Sequence, residues 1–424
     1  MKWFVLGTAV LMYALVIIFP ARKSWATLGA ALVMIIARAV SPMQAMTELI
    51  DWNILLIFTG SLIIAELFIY SRVPAVIADS IMKRAPNAGI AIVSILMMTG
   101  IISAFVENVA TVLVMAPIAL AFCAKLNLNP KMFMTGLAVM ANLQGTATLV
   151  GDPPSMIFAD FTRYGFNDFF VYQGRLSIFF AVQVGMIAGA IYFYFFFARV
   201  GKEKNLTESE KIKTIVPTIL LLMMILGLAA ASFIFGGLTI ASGILVMGLG
   251  IFGFFWYWLI QREGWEKSRE LIKTLDWDTV LFLIGIFVVI GAVSEVGLLE
   301  DFAALLSGII GNNVLMGFLL ITVVSIFISG FVDNVPYIIA MLPVASTLAE
   351  QLSLRPELYM FALLIGSCLG GNLTPFGASA NIVSVGILRK QGVPMNFGQW
   401  LKIGIPFTLI TTTASAAFVW FVWR

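Results

Sequence analysis

The chain has 424 residues, of which 61% are hydrophobic, 11% are charged and none is histidine, and its net charge is +3. Soluble domains have a smaller apolar share and about 25% charged residues, so a water-soluble globule has no place for this many apolar side chains. The composition excludes a soluble enzyme, a disordered chain and a nucleic-acid binder, and it predicts a chain that crosses the lipid bilayer several times.

Apolar segments of about 20 residues, the length that spans a bilayer, follow one another along both halves of the chain. We read the first of them as a span rather than a signal peptide, because no clear cleavage site follows it. The first half contains predicted spans near 3–20, 25–40, 53–71, 133–162 (broken) and 176–198. The second half contains 215–234, 237–260, 278–298, 359–388 (broken) and 401–422. The predicted fold is therefore an all-α polytopic membrane protein with about ten spans in total.

Each half also holds a paired segment, at 88–124 and 314–350, whose arms are about 16 residues long. Arms of this length are at or below the spanning minimum, so each pair is predicted to be a re-entrant hairpin with its polar tip near mid-membrane. Short amphipathic stretches at 74–84 and 298–310 are predicted to lie along the membrane interface.

The chain repeats itself internally. Residues 103–109, which contain Glu107-Asn108, recur as residues 329–335, which contain Asp333-Asn334, at an offset of 329 − 103 = 226. Residues 145–155 match 371–381 at the same offset. Five spans per half is an odd number, so the second half must enter the membrane upside down, as in many secondary transporters. The predicted organisation is repeat 1 at 1–198, a linker at 199–214 and repeat 2 at 215–424.

The basic residues predict which side of the membrane each loop faces. On the side of the linker, the predicted loops hold 19 of the 25 Lys and Arg residues, Lys23 among them, against 6 on the other side. By the positive-inside rule, the linker is cytoplasmic, both termini are extracytoplasmic, and the protein resides in the plasma (cell inner) membrane.

Polar residues interrupt the two broken spans and the two hairpin tips. Irregular backbone at membrane depth is tolerated only where it is buried or lines a cavity, and the N-terminus of a half-helix offers N–H groups to an oxyacid. Because ionisable groups within spans are costly, we predict one substrate- and ion-binding site near the midplane. The residues assigned to it are Glu107, Asn108, Thr146, Thr148, Asp152 and Ser155 from repeat 1, and Asp333, Asn334, Asn372, Thr374, Ser379 and Asn381 from repeat 2.

The same amides and hydroxyls also suit a structural role, since helix breaks need capping. Asp51 and Asp276, each before a Trp at the start of a span, are predicted N-caps, and Glu66 and Glu295 are predicted to be paired or interfacial. Cys123 and Cys368 are too few for a disulfide framework. The chain offers no His-based metal site, and we assign no catalytic residue, metal or cofactor.

Three motifs resemble the ion transporter superfamily over essentially the whole chain: residues 106–112 around Glu107-Asn108, the Gly-Asp-Pro-Pro-Ser run at 151–155, and residues 370–381. The most similar branch contains the arsenite/antimonite permeases, the NhaD-type antiporters and the melanosomal P protein. The resemblance implies a scaffold and a mobile transport domain that work as an elevator, and a homodimer as in the dicarboxylate carriers. Relatives commonly have Asp at the position of Glu107 and Asn at that of Ser155.

These observations predict a secondary active transporter that exports arsenite, antimonite or a related small oxyacid in exchange for protons or sodium. Sodium/proton antiport and dicarboxylate or anion transport are the alternatives within the superfamily. A passive channel is a further alternative, because broken helices also build selectivity filters. An intramembrane enzyme is disfavoured because no nucleophile or metal-ligand motif is present. The chain has no P-loop, so any dependence on ATP would need a separate ATPase subunit.

Overall fold

The computed structural model describes residues 1–19, 22–197, 211–235, 237–261 and 264–424. Most of the predicted linker, residues 199–210, therefore lies outside the described residues, as does Arg262, which was counted among the loop charges. The described part is almost entirely helical. Its strands are the two-residue β1 (Val171–Tyr172) and β2 (Arg175–Leu176), which pair antiparallel with Val171 opposite Leu176.

The described residues of the first half form ten α-helices. They are α1 (Lys2–Ile18), α2 (Lys23–Ile36), α3 (Pro42–Gln44), α4 (Trp52–Tyr70), α5 (Val73–Arg84), α6 (Ala88–Ser103), α7 (Asn108–Lys125), α8 (Lys131–Gly145), α9 (Pro153–Thr162) and α10 (Ile178–Phe197). This half also contains a π-helical turn at Ala45–Leu49 and a 3-10 turn at Phe166–Phe169.

The second half repeats much of this order. Its helices are α11 (Val216–Phe235), α12 (Ile240–Phe255), α13 (Gly264–Thr274), α14 (Trp277–Glu295), α15 (Leu298–Ile310), α16 (Val314–Ser329), α17 (Asn334–Gln351), α18 (Pro356–Gly370), α19 (Ser379–Lys390) and α20 (Phe397–Trp423). A π-helical turn at Trp256–Ile260 extends α12, and a 3-10 turn at Gly371–Leu373 follows α18.

Seven of the described helices are at least 18 residues long and apolar enough to cross a membrane: α4, α7, α10, α11, α12 with its π-helical turn, α14 and α20. This confirms a helical polytopic membrane protein, while the count of ten spans stays a prediction. Helices α1 and α2, predicted as full spans, are 17 and 14 residues long. At 1.5 Å per residue, 14 residues reach only about 21 Å, less than the apolar core of a bilayer. Conversely, α7 has 18 residues and is longer than the hairpin arm expected there.

Corresponding elements of the two halves begin and end at the same offset. The hairpin helices α6 and α7 match α16 and α17, and α8 matches α18, within a residue of the 226-residue shift. The predicted N-caps are confirmed, because Asp51 accepts a hydrogen bond from the Ile54 N–H and Asp276 accepts one from the Thr279 N–H. A local sequence pattern therefore produces the same helix start twice.

The helices pack in two groups. In the first, α4 packs against α12, α2 against α14, and α1 and α11 join them. In the second, the hairpins and broken helices pack on one another: α6 and α7 on α8, α16 and α17 on α18, and α19 on α7 and α8, with α10 against α20. The two groups meet where α4 contacts α7 and α9, and where α14 contacts α17. The candidate site lies at this boundary.

Candidate functional site

Both broken helices are interrupted by a tight crossing of backbone. In the first break, a Cβ added to Gly151 would lie 2.5 Å from the carbonyl oxygen of Gly145. In the second, a Cβ added to Gly377 would lie 2.6 Å from the carbonyl oxygen of Gly371. No side chain fits at such distances, so glycine is required for the chain to pass back across itself and restart the helix.

Hydroxyl groups brace each break against the neighbouring hairpin tip. Thr148 donates to the carbonyl of Ala104, and Thr374 donates to the carbonyl of Gly330 at 2.5 Å. These pairs are equivalent in the two halves, since 148 + 226 = 374 and 104 + 226 = 330. Each hydrogen bond satisfies a carbonyl that the end of a hairpin helix leaves open, so hairpin and break form one unit.

In each break, one further side chain donates hydrogen bonds to backbone carbonyls of the same break. Asn381 donates to the carbonyls of Gly371 and Thr374, both at 2.9 Å. The equivalent Ser155 donates to the carbonyl of Gly145 at 3.4 Å. The serine thus makes one long bond where the amide makes two short ones.

A cavity of about 730 Å³ lies between the two groups of helices. The first group contributes residues at the end of α1, Lys23, Phe58 and the start of α14. The second group contributes both hairpin tips, Asp152 and Pro153 at the start of α9, and residues 376–379 before and at the start of α19. The N-termini of both half-helices therefore open into the same space.

Among the residues that the structure describes, five carboxylates line this cavity and only one basic side chain does, Lys23. The acids are Glu107, Asp152, Asp276, Asp278 and Asp333. Lys23 forms an ion pair with Asp333 whose Nζ and Oδ2 atoms lie 2.9 Å apart, and the two side chains are 13% and 21% exposed. With all five acids ionised, the lining would carry a net charge of 1 − 5 = −4.

The carboxylates are held in different ways. Glu107 and Asp333 cap the second helix of their hairpins, accepting hydrogen bonds from the N–H groups of Ala110 and Val335. Asp278 accepts a hydrogen bond from the Ser24 hydroxyl. Asp152 precedes α9 but makes no capping hydrogen bond to it; its buried carboxylate interacts with the Asn334 side chain across the cavity lining.

Buried amides connect the two repeats behind the cavity. Asn142 of α8 accepts a hydrogen bond from Asn108 at 3.1 Å. It donates to Asn372 at 2.8 Å and to Asn381 at 2.9 Å, both in the second break. One hairpin tip and the opposite broken helix are therefore fixed relative to each other.

The structure divides the twelve sequence-predicted residues into two sets of six. Those that line the cavity are Glu107, Asn108, Asp152, Asp333, Asn334 and Ser379. Those that lie behind it, buried, are Thr146, Thr148, Ser155, Asn372, Thr374 and Asn381. The second set has the hydrogen bonds of structural braces, which is the structural role left open for the amides and hydroxyls.

Sequence reasoning missed Lys23, Asp278 and Asn142 as site residues, and it treated Asp276 as a cap alone. Lys23 was counted as a loop charge, but it is the first residue of α2 and its side chain enters the cavity. The available signals were weak: a basic residue that opens an apolar segment, and an amide within the apolar run of α8.

Cys368 is buried next to the second break, but it does not line the cavity. Among the described residues, no three Cys, Asp or Glu side chains are grouped closely enough to hold a metal ion. The cavity therefore presents carboxylates spread over its walls.

Comparison with known proteins places the chain among membrane transporters. The family model described as "Citrate transporter" (CitMHS) matches residues 13–366 and 303–424. An uncharacterized transporter of Mycobacterium tuberculosis is 32% identical over 383 residues, which cover 88% of this chain and 86% of the relative. The human P protein is 23% identical over 98% of this chain and 59% of its own length.

A solved structure is similar in fold. The YdaH transporter of Alcanivorax borkumensis superposes with a TM-score of 0.59 at 14% identity, over 92% of this chain and 88% of that one. At this identity the likeness concerns the fold alone. The family match and the P protein confirm the resemblance to the ion transporter superfamily that the motifs predicted.

Proposed function

Since this chain belongs to the CitMHS family of citrate transporters, and is thus a multi-pass membrane transporter, we propose that it moves a small, oxygen-rich solute in exchange for protons. The observation that carries this proposal is the charge of the cavity: five carboxylates face one lysine at the meeting point of both hairpin tips and both half-helices. Carboxylates within membrane-embedded segments are natural proton carriers, and the chain has no histidine to share that role.

The sign of the cavity favours a neutral or protonated solute. A multiply charged anion entering this lining with its five acids ionised would be repelled unless protons or cations entered with it. Arsenite and antimonite are neutral triols at neutral pH, and their hydroxyls can donate hydrogen bonds to carboxylates. We therefore propose export of arsenite, antimonite or a related neutral oxyacid as the first candidate.

Citrate is the second candidate, supported by the description of the family and by two features of the cavity. Lys23 supplies a positive charge, and the N-termini of α9 and α19 direct partial positive charge and N–H groups into the same space. On this alternative, citrate would be carried together with protons or cations that offset the carboxylates.

The proposed mechanism is alternating access. The cavity lies between the helix group that contains α2, α4 and α14 and the group that contains the hairpins and broken helices. Movement of the second group against the first would expose the same residues to either side of the membrane. In this scheme Asp152, which makes no capping hydrogen bond to α9, exchanges the proton. The Lys23–Asp333 ion pair joins the two helix groups that move against each other.

Transport into everted membrane vesicles tests the proposal. We expect arsenite to accumulate when a proton gradient is imposed, and to stop accumulating when the gradient is collapsed. Asp152→Asn should abolish gradient-driven accumulation, whereas Asp301→Asn, which removes an acid from the exposed Lys2–Asp301 pair, should leave it unchanged. Accumulation that does not depend on the gradient would contradict proton coupling.

Parallel measurements in proteoliposomes distinguish the candidates. Labelled citrate uptake, with arsenite as competitor, decides between the two solutes. A pH-sensitive dye inside the liposomes, read with and without added sodium, tests the alternative of sodium/proton antiport with no oxyacid. Saturable and slow flux supports a carrier, and unsaturable flux would indicate a channel.

A further inference from the structure

The amide network behind the cavity has a direction that can be deduced from its anchors. Backbone carbonyls accept hydrogen bonds and cannot donate them. Asn381 contacts two of them, the carbonyls of Gly371 and Thr374, and Asn372 contacts the carbonyl of Val139 at 3.3 Å. The atoms that face these carbonyls must therefore be the two amide nitrogens.

The orientation of the central amide follows from these two. With their nitrogens committed, Asn372 and Asn381 present their oxygens to Asn142. Only the amide nitrogen of Asn142 can serve both oxygens, and its two hydrogens match the two acceptors. The oxygen of Asn142 is thereby turned towards the hairpin tip, where it accepts the hydrogen bond from the Asn108 nitrogen.

Asn108 is the last amide of this hydrogen-bond network, and it lines the cavity. Asn108 uses its nitrogen on Asn142, and its Oδ1 has no hydrogen-bond partner among the described residues, although Asn108 lines the cavity. We propose that Asn142 is a positioning residue that holds Asn108 with its oxygen towards the cavity, so that this tip selects the hydroxyl donor of a neutral oxyacid over a carboxylate.

The second repeat has no asparagine in the equivalent position to orient its tip amide. The position equivalent to Asn142 is Cys368, since 142 + 226 = 368, and a buried thiol cannot orient an amide as a carboxamide does. The corresponding tip residue, Asn334, interacts instead with the Asp152 carboxylate. The two tips therefore present different chemistry to a solute although the fold around them is repeated.

The direction of the network can be tested without any solute, by thermal unfolding of the purified full chain in detergent. Asn108→Asp would set an oxygen against the Asn142 oxygen, so we expect a lower Tm. Asn142→Asp keeps the acceptor for Asn108 but sets an oxygen against the oxygens of both Asn372 and Asn381, so we expect a larger decrease, because unpaired buried polar groups are destabilising.

The control for burial of the new carboxylate is Asn53→Asp. Asn53 is a buried amide of α4 whose oxygen accepts a hydrogen bond from the Gly243 N–H, and Asp keeps that acceptor. We expect its Tm to decrease least of the three. An Asn108→Asp variant as stable as the wild type would mean that Asn142 donates to Asn108, and this would overturn the proposal even if Asn142→Asp failed to fold.

The consequence for the cargo rests on the proposed function and is tested by transport. In Asn142→Ser the side-chain amide of Asn108 is free to rotate. We therefore expect the KM for arsenite to rise about 5- to 10-fold, which is the effect of losing one hydrogen bond, while Vmax is retained. We expect citrate to compete weakly with arsenite in the wild type and better in this variant.

An unchanged KM and unchanged competition in the folded variant would refute the positioning role. A wild-type protein that carries neither solute would overturn the cargo class together with the proposed function. In that case the unfolding data still decide the direction of the network.

Discussion

The ion pair between Lys23 and Asp333 gives the sharpest prediction about the energetics of this protein. It joins α2 in the first helix group to a hairpin tip in the second, with 2.9 Å between Nζ and Oδ2. Within the described part of the chain, Lys23 is the only basic side chain that lines the cavity, against five acids. Replacing Lys23 with Met leaves Asp333 facing the other carboxylates without a counter-charge.

The size of the effect follows from distance and burial. At 2.9 Å and an effective dielectric constant of about 20, the Coulomb attraction is about 6 kcal/mol. Desolvation of both ions offsets much of this gain, so we expect a coupling free energy of about 2–3 kcal/mol. The pair Lys2–Asp301 is as close, at 2.5 Å, but its side chains are 40% and 62% exposed. Solvent screening should limit its coupling to below about 1 kcal/mol.

Two double-mutant cycles, read as free energies of unfolding in detergent micelles, test this difference. One combines Lys23→Met with Asp333→Asn, and the other combines Lys2→Met with Asp301→Asn. We expect Lys23→Met to be strongly destabilising alone, and Asp333→Asn to recover part of the loss. Equal coupling in both cycles, or a Lys23→Met variant as stable as the wild type, would refute the assignment of Lys23 as the counter-charge of the cavity.

Three further predictions concern the breaks and a loop. Gly151→Ala places a Cβ 2.5 Å from a carbonyl oxygen, so we expect a loss of about 1–3 kcal/mol in thermal unfolding, whereas Gly248→Ala, which meets no atom within 4 Å, should be neutral or stabilising. Thr374→Val removes the brace to the hairpin tip, and we expect a loss of about 1–2 kcal/mol, with faster protease cleavage of the tip as the second readout. Burial raises the pKa of Asp168, in the loop before α10, so its ionised form destabilises the fold. Asp168→Asn should therefore raise Tm at neutral pH, and this gain should vanish as the pH falls below the ordinary pKa of Asp, about 4.

Much of the secondary structure could be predicted because its causes are local. Apolar runs, glycine and proline breaks, and capping residues act within a few positions, and Asp51 and Asp276 cap their helices as the sequence predicted. The lengths of α1 and α2 were overestimated, since hydrophobicity shows how far an apolar run extends but not where the helix ends. Six of the twelve predicted site residues line one cavity, but the sequence did not separate them from the six that brace the backbone behind it.

The sequence by itself determined that this is a helical membrane protein, that several of its motifs recur at an offset of 226 residues, and which polar residues interrupt the apolar segments. Only the tertiary structure decided which of them face a common space. Lys23 and Asp333 are 310 residues apart, and Asn142 and Asn381 are 239 apart, so no local pattern reports their contact. The physical reason is that a buried polar group needs a partner of the right charge or hydrogen-bonding direction, and packing alone supplies that partner.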